Sequence, residues 1–257
     1  MRGFLGRSAA VERSWVFVPV LAFACGCGSP TGPEPEDLGI LFIGNSLTYV
    51  NDLPGMVEAL FDMGGAGEIF VASQTQPNYG LPDHWVAGAR DRIADSPWDV
   101  VVLQQGPSAT EGRPYLLEYS RLFAEDIRAV GGTPALYMVW PSMSRFFDFD
   151  GVSDSYQTAA VEANGLLFPA GEAWRIAWEA DPSLELYGSD GFHPSPLGTY
   201  LAALVIYQQL SGLDPTDLPP RIESGAGSLD LDPDVALLLQ GAAAEANARF
   251  ARSVGGL

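Results

Sequence analysis

The feature that most constrains the fold is a regular alternation of two kinds of segment from residue 38 onward. Short, near-continuous apolar segments are typical of strands covered on both faces, and apolar residues spaced three or four apart predict helices. An alternation of strands and helices favours an α/β fold with a parallel sheet, helices on both faces and right-handed crossovers. The strand candidates are residues 38–44, 68–73, 98–105, 133–140 and 165–171, and the helix candidates are 53–64, 81–94, 113–132, 152–165, 172–180 and 197–212.

The length of 257 residues and the even composition predict one folded domain over residues 38–257. A proline-rich break, "LDPTDLPP", follows the helix candidate that ends at residue 212, and a last helix candidate begins near residue 233. We therefore expect residues 213–257 to form a helical appendage that packs on the domain.

The charge of the chain is strongly negative. It has 32 acidic and 13 basic residues, every basic one an arginine, and a formal net charge of -19. Such a surface repels phosphate backbones and anionic lipid headgroups, which argues against nucleic acid as a partner. A neutral or cationic substrate is easier to accommodate.

Residues 1–27 have the pattern of an export signal. Arg2, Arg7 and Arg13 precede the apolar stretch "WVFVPVLAFA", which is too short to span a bilayer. The two cysteines, Cys25 and Cys27, follow small residues directly after this stretch, an arrangement that resembles the lipobox of bacterial lipoproteins without its usual leucine. We expect a periplasmic or cell-surface protein anchored through a lipid on one of these cysteines; an ordinary cleaved signal is the alternative.

Residues 28–37, "GSPTGPEPED", contain proline, glycine and acidic residues that cannot build a packed element. They predict a flexible linker between the signal and the domain. Beyond a lipid anchor, the sequence indicates no contact with a membrane.

Two polar motifs lie where this kind of fold gathers its chemistry, beyond the carboxyl ends of the strands. Ser46 follows the first strand in "IGNSLT", where it is either an exposed nucleophile or a helix N-cap. Asp190 and His193 share the loop "SDGFHPS", so that the carboxylate can accept a hydrogen bond from the imidazole Nδ1–H while Nε2 faces outward. A serine hydroxyl needs such a base to attack an acyl carbon; a plain surface loop is the alternative.

These two motifs, "ILFIGNSLT" and "DGFHPSPLGTYLAA", resemble the first and last motif blocks of the SGNH or GDSL-like hydrolases. The resemblance covers roughly residues 38–212. It implies a three-layer α/β/α sandwich with a five-stranded parallel sheet, a nucleophile at Ser46, a base at His193 and an orienting carboxylate at Asp190. Asn45 replaces the aspartate of the GDSL pattern, at a position that is not the nucleophile.

The middle blocks of that family, which supply the oxyanion hole, are less clear in this chain. The resemblance assigns one backbone donor to Gly80, although a glycine before Leu-Pro also serves a turn. The asparagine expected after the third strand is absent from "LQQGPSAT". We favour the side-chain amide of Gln105 as the donor that replaces this asparagine. Gln104 is one alternative, and in another the glycine and asparagine of the block align with Gly106 and Ser108.

Other candidates favour a structural role. His84, at the start of the second helix candidate, is either a wall of the cleft or a half-buried helix residue, and we favour the latter. Tyr79, Trp85 and Trp140 are more typical of a core than of a sugar-stacking wall. Two histidines, no clustered cysteines and no lysine leave no pattern for a zinc site or a phosphate loop, so we expect neither metal nor cofactor.

The sequence therefore predicts an exported serine esterase whose substrate is a small-molecule or carbohydrate ester, with an O-acetyl group on a carbohydrate as the favoured bond. Two alternatives stay open. Because the expected asparagine is missing, the fold could be a catalytically silent surface lipoprotein that binds glycans, and the acyl group could be transferred to a sugar rather than to water.

Overall fold

The sheet has five parallel strands in the order β2-β1-β3-β4-β5. The computed structural model describes residue 33 and residues 37–254. The predicted signal with Cys25 and Cys27, and most of the predicted linker, lie outside the described residues. The strands are β1 (Leu38–Gly44), β2 (Ile69–Thr75), β3 (Val100–Leu103), β4 (Thr133–Tyr137) and β5 (Leu166–Phe168).

Helices cover both faces of the sheet, as the alternation predicts. The helices α2, α7, α8 and α9 pack together as one layer, and α3, α4, α5 and α6 pack together as the other. Strands β1, β3, β4 and β5 are buried almost throughout, whereas the edge strand β2 is only half-buried. The helices are α1 (Ser46–Tyr49), α2 (Leu53–Gly64), α3 (Leu81–Val86), α4 (Ala89–Ala94), α5 (Arg113–Ala129), α6 (Phe149–Glu162), α7 (Ala170–Ala180), α8 (Pro196–Ser211) and α9 (Pro233–Phe250).

The predicted helix over residues 81–94 is wrong in one respect, because the structure divides it into α3 and α4. Gly88 lies between them with a φ of 88°, a left-handed conformation that glycine adopts without steric cost. The apolar spacing of the segment continues across this break, so the periodicity alone does not reveal it.

The tail contains a structure that the sequence analysis did not predict. Strands β6 (Arg221–Ser224) and β7 (Gly227–Asp230) form an antiparallel hairpin, and β6 contacts α2. After α9 the chain returns to the sheet, where the Leu167 N–H donates to the Arg252 carbonyl at 3.0 Å. No helix in the described part of the chain is long and apolar enough to span a membrane.

Helix α8 begins directly after the loop that carries His193, and its first turn is packed tightly against α7. The Trp174 indole N–H donates to the Gly198 carbonyl at 3.2 Å, and Trp174 stacks on Trp140 with ring centroids 3.5 Å apart. A Cβ on Gly198 would clash with the Leu186 carbonyl oxygen and lie 2.5 Å from the Trp174 ring. The absence of a side chain at this position therefore lets α8 approach the buried indoles.

We predict that Gly198→Ala lowers the free energy of unfolding by about 1–3 kcal/mol, because a methyl group enters a space that is already filled. Gly241→Ala in α9 is the matched control, since a Cβ there meets no atom within 4 Å. That change should stabilise the protein by up to about 1 kcal/mol through helix propensity. Denaturant unfolding of both variants measures the difference; equal stabilisation by both would contradict the packing argument.

Candidate active site

The cleft lies where the direction of strand order reverses in the sheet. β1 is paired with β2 on one side and with β3 on the other, and open sheets of this kind bind ligands at such a switch point, outside the carboxyl ends of the strands. Ser46 lies two residues after the end of β1, Gln104 and Gln105 follow β3, and His193 lies in the loop before α8. The residues predicted from three separate parts of the chain are therefore neighbours across one crevice.

The turn after β1 frees Ser46 from the capping role that the sequence left open. Asn45 is the N-cap of α1, and its Oδ1 accepts from the Leu47 N–H at 3.1 Å. The Asn45 Nδ2 also donates to the Tyr79 carbonyl at 2.9 Å, which ties this turn to the loop after β2. Ser46 occupies the first helical position, so its hydroxyl is available for another partner.

That partner is His193. The His193 Nε2 lies 2.9 Å from the Ser46 Oγ, and the His193 Nδ1 lies 2.5 Å from the Asp190 Oδ2. A carboxylate can only accept, so Nδ1 carries the proton and Nε2 is left to accept from the serine hydroxyl. The structure thus brings the three predicted catalytic residues into one hydrogen-bonded chain.

Asp190 is an anion fixed by its own loop. Its Oδ1 accepts from the backbone N–H groups of Phe192 and His193, both at 3.0 Å. The hydrogen bond from the His193 side chain, followed by these backbone donors, lowers the pKa of Asp190 to about 2. The carboxylate therefore stays charged and holds the imidazole in one tautomer.

The loop that carries His193 is held from both sides. The Asn51 Nδ2 donates to the Pro194 carbonyl at 3.0 Å and to the Thr199 Oγ1 at 2.9 Å, which links the segment after Ser46 to the histidine loop. On the other side, the Trp140 indole N–H donates to the Phe192 carbonyl at 3.1 Å. These contacts position His193 with little freedom to move away from Ser46.

The structure distinguishes the three residues that could replace the missing asparagine, Gln104, Gln105 and Ser108. Gln104 is buried; its Oε1 accepts from the Asn45 N–H at 2.8 Å and its Nε2 donates to the Gln105 carbonyl at 2.7 Å, so both ends of its amide are used in the fold. Ser108 is buried and donates to the Gly106 carbonyl at 2.8 Å. Neither residue lines the cleft.

Gln105 differs from both, because only its acceptor is engaged. Its Oε1 accepts from the Leu81 N–H at 2.7 Å, and within the described part of the chain its Nε2 has no hydrogen-bond partner. The buried Tyr156 hydroxyl donates to the Gln105 backbone carbonyl, and burial raises the pKa of this tyrosine. Gln105 is therefore a fixed residue with a free amide donor at the cleft, next to the free backbone N–H of Ser46.

Gly80 lies at the cleft, but its N–H is already used. It donates to the Asp83 Oδ2 at 2.8 Å in the first turn of α3. The Gly80 amide can contribute to an oxyanion hole only when this carboxylate moves away, so its predicted role stays a prediction.

His84 is structural and more deeply buried than expected, with no exposed surface. Its Nε2 lies 2.8 Å from the Gly44 carbonyl, which requires a proton on Nε2, and burial lowers the pKa of the ring. His84 therefore fastens α3 to the end of β1, one residue before the turn that carries Ser46.

The cleft has a volume of about 580 Å³ and an aromatic rim, and the core role that the sequence analysis favoured for Tyr79 is wrong, because Tyr79 lines this rim. Of the three aromatic candidates, Tyr79 lines it, Trp140 is buried against Trp174, and Trp85 packs on α5. The side chains of Tyr115 and Phe192 were missed, although Phe192 belongs to the last motif. The lining residues are Asn45, Ser46, Asn78, Tyr79, Gly80, Pro82, Asp83, Gln105, Gly106, Tyr115 and Phe192.

This arrangement has the parts required for acyl chemistry on a serine. A hydroxyl touches an imidazole that a carboxylate orients, and two N–H donors, from the Ser46 backbone and the Gln105 side chain, lie at the same cleft. Among the described residues, no group of three or more His, Cys, Asp or Glu side chains is placed to hold a metal ion.

No family model and no curated protein matches the sequence. Solved structures do match it. A protein from Slackia heliotrinireducens that is assigned to the SGNH hydrolases has 26% identity and a TM-score of 0.60, and the match covers 68% of this chain and 99% of that one. A DUF4886 family protein from Bacteroides uniformis has 18% identity and a TM-score of 0.65, over 83% and 95% of the two chains.

A variant of an acetyl-xylooligosaccharide esterase from Geobacillus has 20% identity and a TM-score of 0.50, over 68% of this chain and 94% of its own. These matches, together with the parallel sheet and its helical layers, confirm the fold predicted from the first and last motifs. The chain has the α/β/α fold of the SGNH/GDSL-like hydrolases, a fold of ester hydrolases.

Proposed function

We propose that this chain is a serine ester hydrolase in which Ser46 is the nucleophile, His193 the general base and Asp190 its orienting carboxylate. The observation that carries the proposal is the continuous hydrogen-bonded chain from the Ser46 Oγ through the His193 ring to the Asp190 carboxylate. Each of the three side chains presents to the next the donor or acceptor that the reaction needs. Ser46 also lines the cleft.

The reaction has two halves. His193 takes the proton of Ser46 as its oxygen attacks the ester carbonyl, and then gives a proton to the leaving alcohol, so that an acyl group remains on Ser46. In the second half His193 deprotonates a water molecule, which attacks the acyl group and releases the acid and the free serine. Asp190 remains ionised throughout and stabilises the imidazolium that forms in each half.

The negative oxygen of each tetrahedral intermediate needs fixed donors. The backbone N–H of Ser46 and the Nε2 of Gln105 are available for this role without any rearrangement. The catalytically silent alternative depended on the missing asparagine after β3. A free glutamine amide at that place supports catalysis, because it offers the same donor chemistry.

For the substrate we propose an acyl ester, and favour an O-acetyl group on a carbohydrate. The open cleft has aromatic side chains on its rim, Tyr79, Tyr115 and Phe192, and aromatic faces pack well on sugar rings. One solved structure of this fold is an acetyl-xylooligosaccharide esterase. Export, expected from residues 1–27, would bring the domain to extracellular polymers, and hydrolysis is favoured over transfer because the cleft is open to water.

We predict that Ser46→Ala and His193→Ala each reduce hydrolysis of 4-nitrophenyl acetate, and acetate release from acetylated polysaccharides, by at least about 10³-fold. Asp190→Asn should give a similar loss through the wrong imidazole tautomer. Steady-state kinetics on the purified domain, residues 38–257, measure these changes. Ser228→Ala, an exposed serine of β7 that does not line the cleft, is the control and should retain activity.

Equal background rates in the wild type and in Ser46→Ala would contradict the hydrolase proposal. Binding of a glycan by both proteins without acetate release would then favour the silent alternative. If added sugar acceptors collect the acyl group in place of water, the enzyme is a transferase that uses the same three residues.

A second prediction concerns Gln105. Gln105→Glu keeps an oxygen that accepts from the Leu81 N–H but removes the amide donor, so it should lower kcat by about 10²- to 10³-fold with a smaller effect on KM. Thermal unfolding checks that the variant is folded. An unchanged kcat would exclude Gln105 from the oxyanion hole and leave the backbone N–H groups of Ser46 and Gly80 as the remaining candidates.

A further inference from the structure

One carboxylate in the cleft has no role in the mechanism above. Asp83 lines the same cleft as Ser46 and is exposed, and its Oδ2 accepts from the Gly80 N–H at 2.8 Å. It makes no ion pair with any residue in the described part of the chain, and no arginine lines the cleft. Its negative charge therefore faces the ligand space without a countercharge.

Asp83 contrasts with Asp190, the other carboxylate near the reacting serine. Asp190 accepts from the His193 side chain and from two backbone N–H groups, so both of its oxygens already have donors. Asp83 has a single backbone donor, on Gly80, a neighbour of Gln105. Within the described residues its Oδ1 accepts no hydrogen bond, so this oxygen is free to accept from a hydroxyl or an ammonium group of a substrate.

The rest of the cleft wall fits the same kind of ligand. Tyr79, Tyr115 and Phe192 supply aromatic faces, which attract neutral sugar rings and cations but not anions. The formal net charge of -19 adds a weak field of the same sign around the whole molecule. Every charged or aromatic group on the cleft wall thus disfavours an anionic ligand.

We propose that Asp83 is a specificity-determining residue that selects esters whose alcohol part is neutral or positively charged and rejects anionic ones. This inference rests on the proposed ester hydrolase. It restricts the carbohydrate substrate to acetylated neutral sugars or amino sugars and excludes acetylated polymers of uronic acids. The interaction is electrostatic, with a hydrogen bond from a substrate hydroxyl or ammonium group to the free oxygen of Asp83.

The test compares three acetate esters of para-substituted phenols of similar size: 4-acetoxybenzoate, which is an anion, its neutral methyl ester, and the 4-trimethylammonio cation. Asp83→Asn removes the charge and keeps an oxygen that can accept from the Gly80 N–H. The measured quantity is the kcat/KM ratio of anion to neutral ester, and of cation to neutral ester, in the variant relative to the wild type. This double ratio cancels differences in leaving-group reactivity and any general change in activity.

We expect the anion-to-neutral ratio to rise about tenfold in Asp83→Asn and the cation-to-neutral ratio to fall, as Coulomb's law gives for charges about 12 Å apart at an effective dielectric constant of about 20. High salt should reduce the discrimination of the wild type. Asp95→Asn is the matched control, because it removes the same charge from an exposed carboxylate that does not line the cleft, and its ratios should equal those of the wild type.

Ratios in Asp83→Asn that stay within twofold of the wild type would overturn the inference, as would an equal change in Asp95→Asn. Failure of the proposed function looks different. In that case the wild type and Ser46→Ala hydrolyse all three esters at the same background rate, and no ratio can be formed.

Discussion

The site depends on one hydrogen bond, between the Ser46 Oγ and the His193 Nε2, which joins residues 147 positions apart. The parallel sheet makes this possible, because every strand delivers its carboxyl end to the same edge. Two further bonds from Asn51 then fix the histidine loop to the segment after the nucleophile. Together with the hydrogen bond from Trp140 to the Phe192 carbonyl, they hold the imidazole within reach of the serine.

The two glutamines after β3 show how adjacent residues of one type acquire different roles. Successive side chains near the end of a strand point to opposite sides. Gln104 is directed into the fold and bonds the turn around Asn45, whereas Gln105 is directed to the cleft and keeps its amide donor free. The first stabilises the turn that carries Ser46, and the second has the free amide donor that the proposed oxyanion hole requires.

The carboxylates near the serine divide in the same way. Asp190 is surrounded by donors, which lower its pKa to about 2 and make it a stable partner for the imidazole. Asp83 engages a single N–H and leaves its charge exposed to the cleft. The different number of donors around each carboxylate supports the proposed roles, in which Asp190 orients the base and Asp83 selects the ligand.

The sequence by itself determined the α/β alternation and the two terminal motifs, because apolar periodicity and local spacing are properties of short segments. The grouping of Ser46, Asp190 and His193 was an expectation from the resemblance of these motifs to those of the SGNH hydrolases. Only the tertiary structure decided that Asn45 rather than Ser46 caps α1, that Gln105 rather than Gln104 or Ser108 faces the cleft, that Tyr115 joins its rim, and that Asp83 occupies the Gly80 N–H. These outcomes depend on the direction of side chains at strand ends and on contacts between distant segments. Side-chain directions and long-range contacts cannot be read from the order of residues, because a hydrogen bond forms only between groups that the completed fold brings close together.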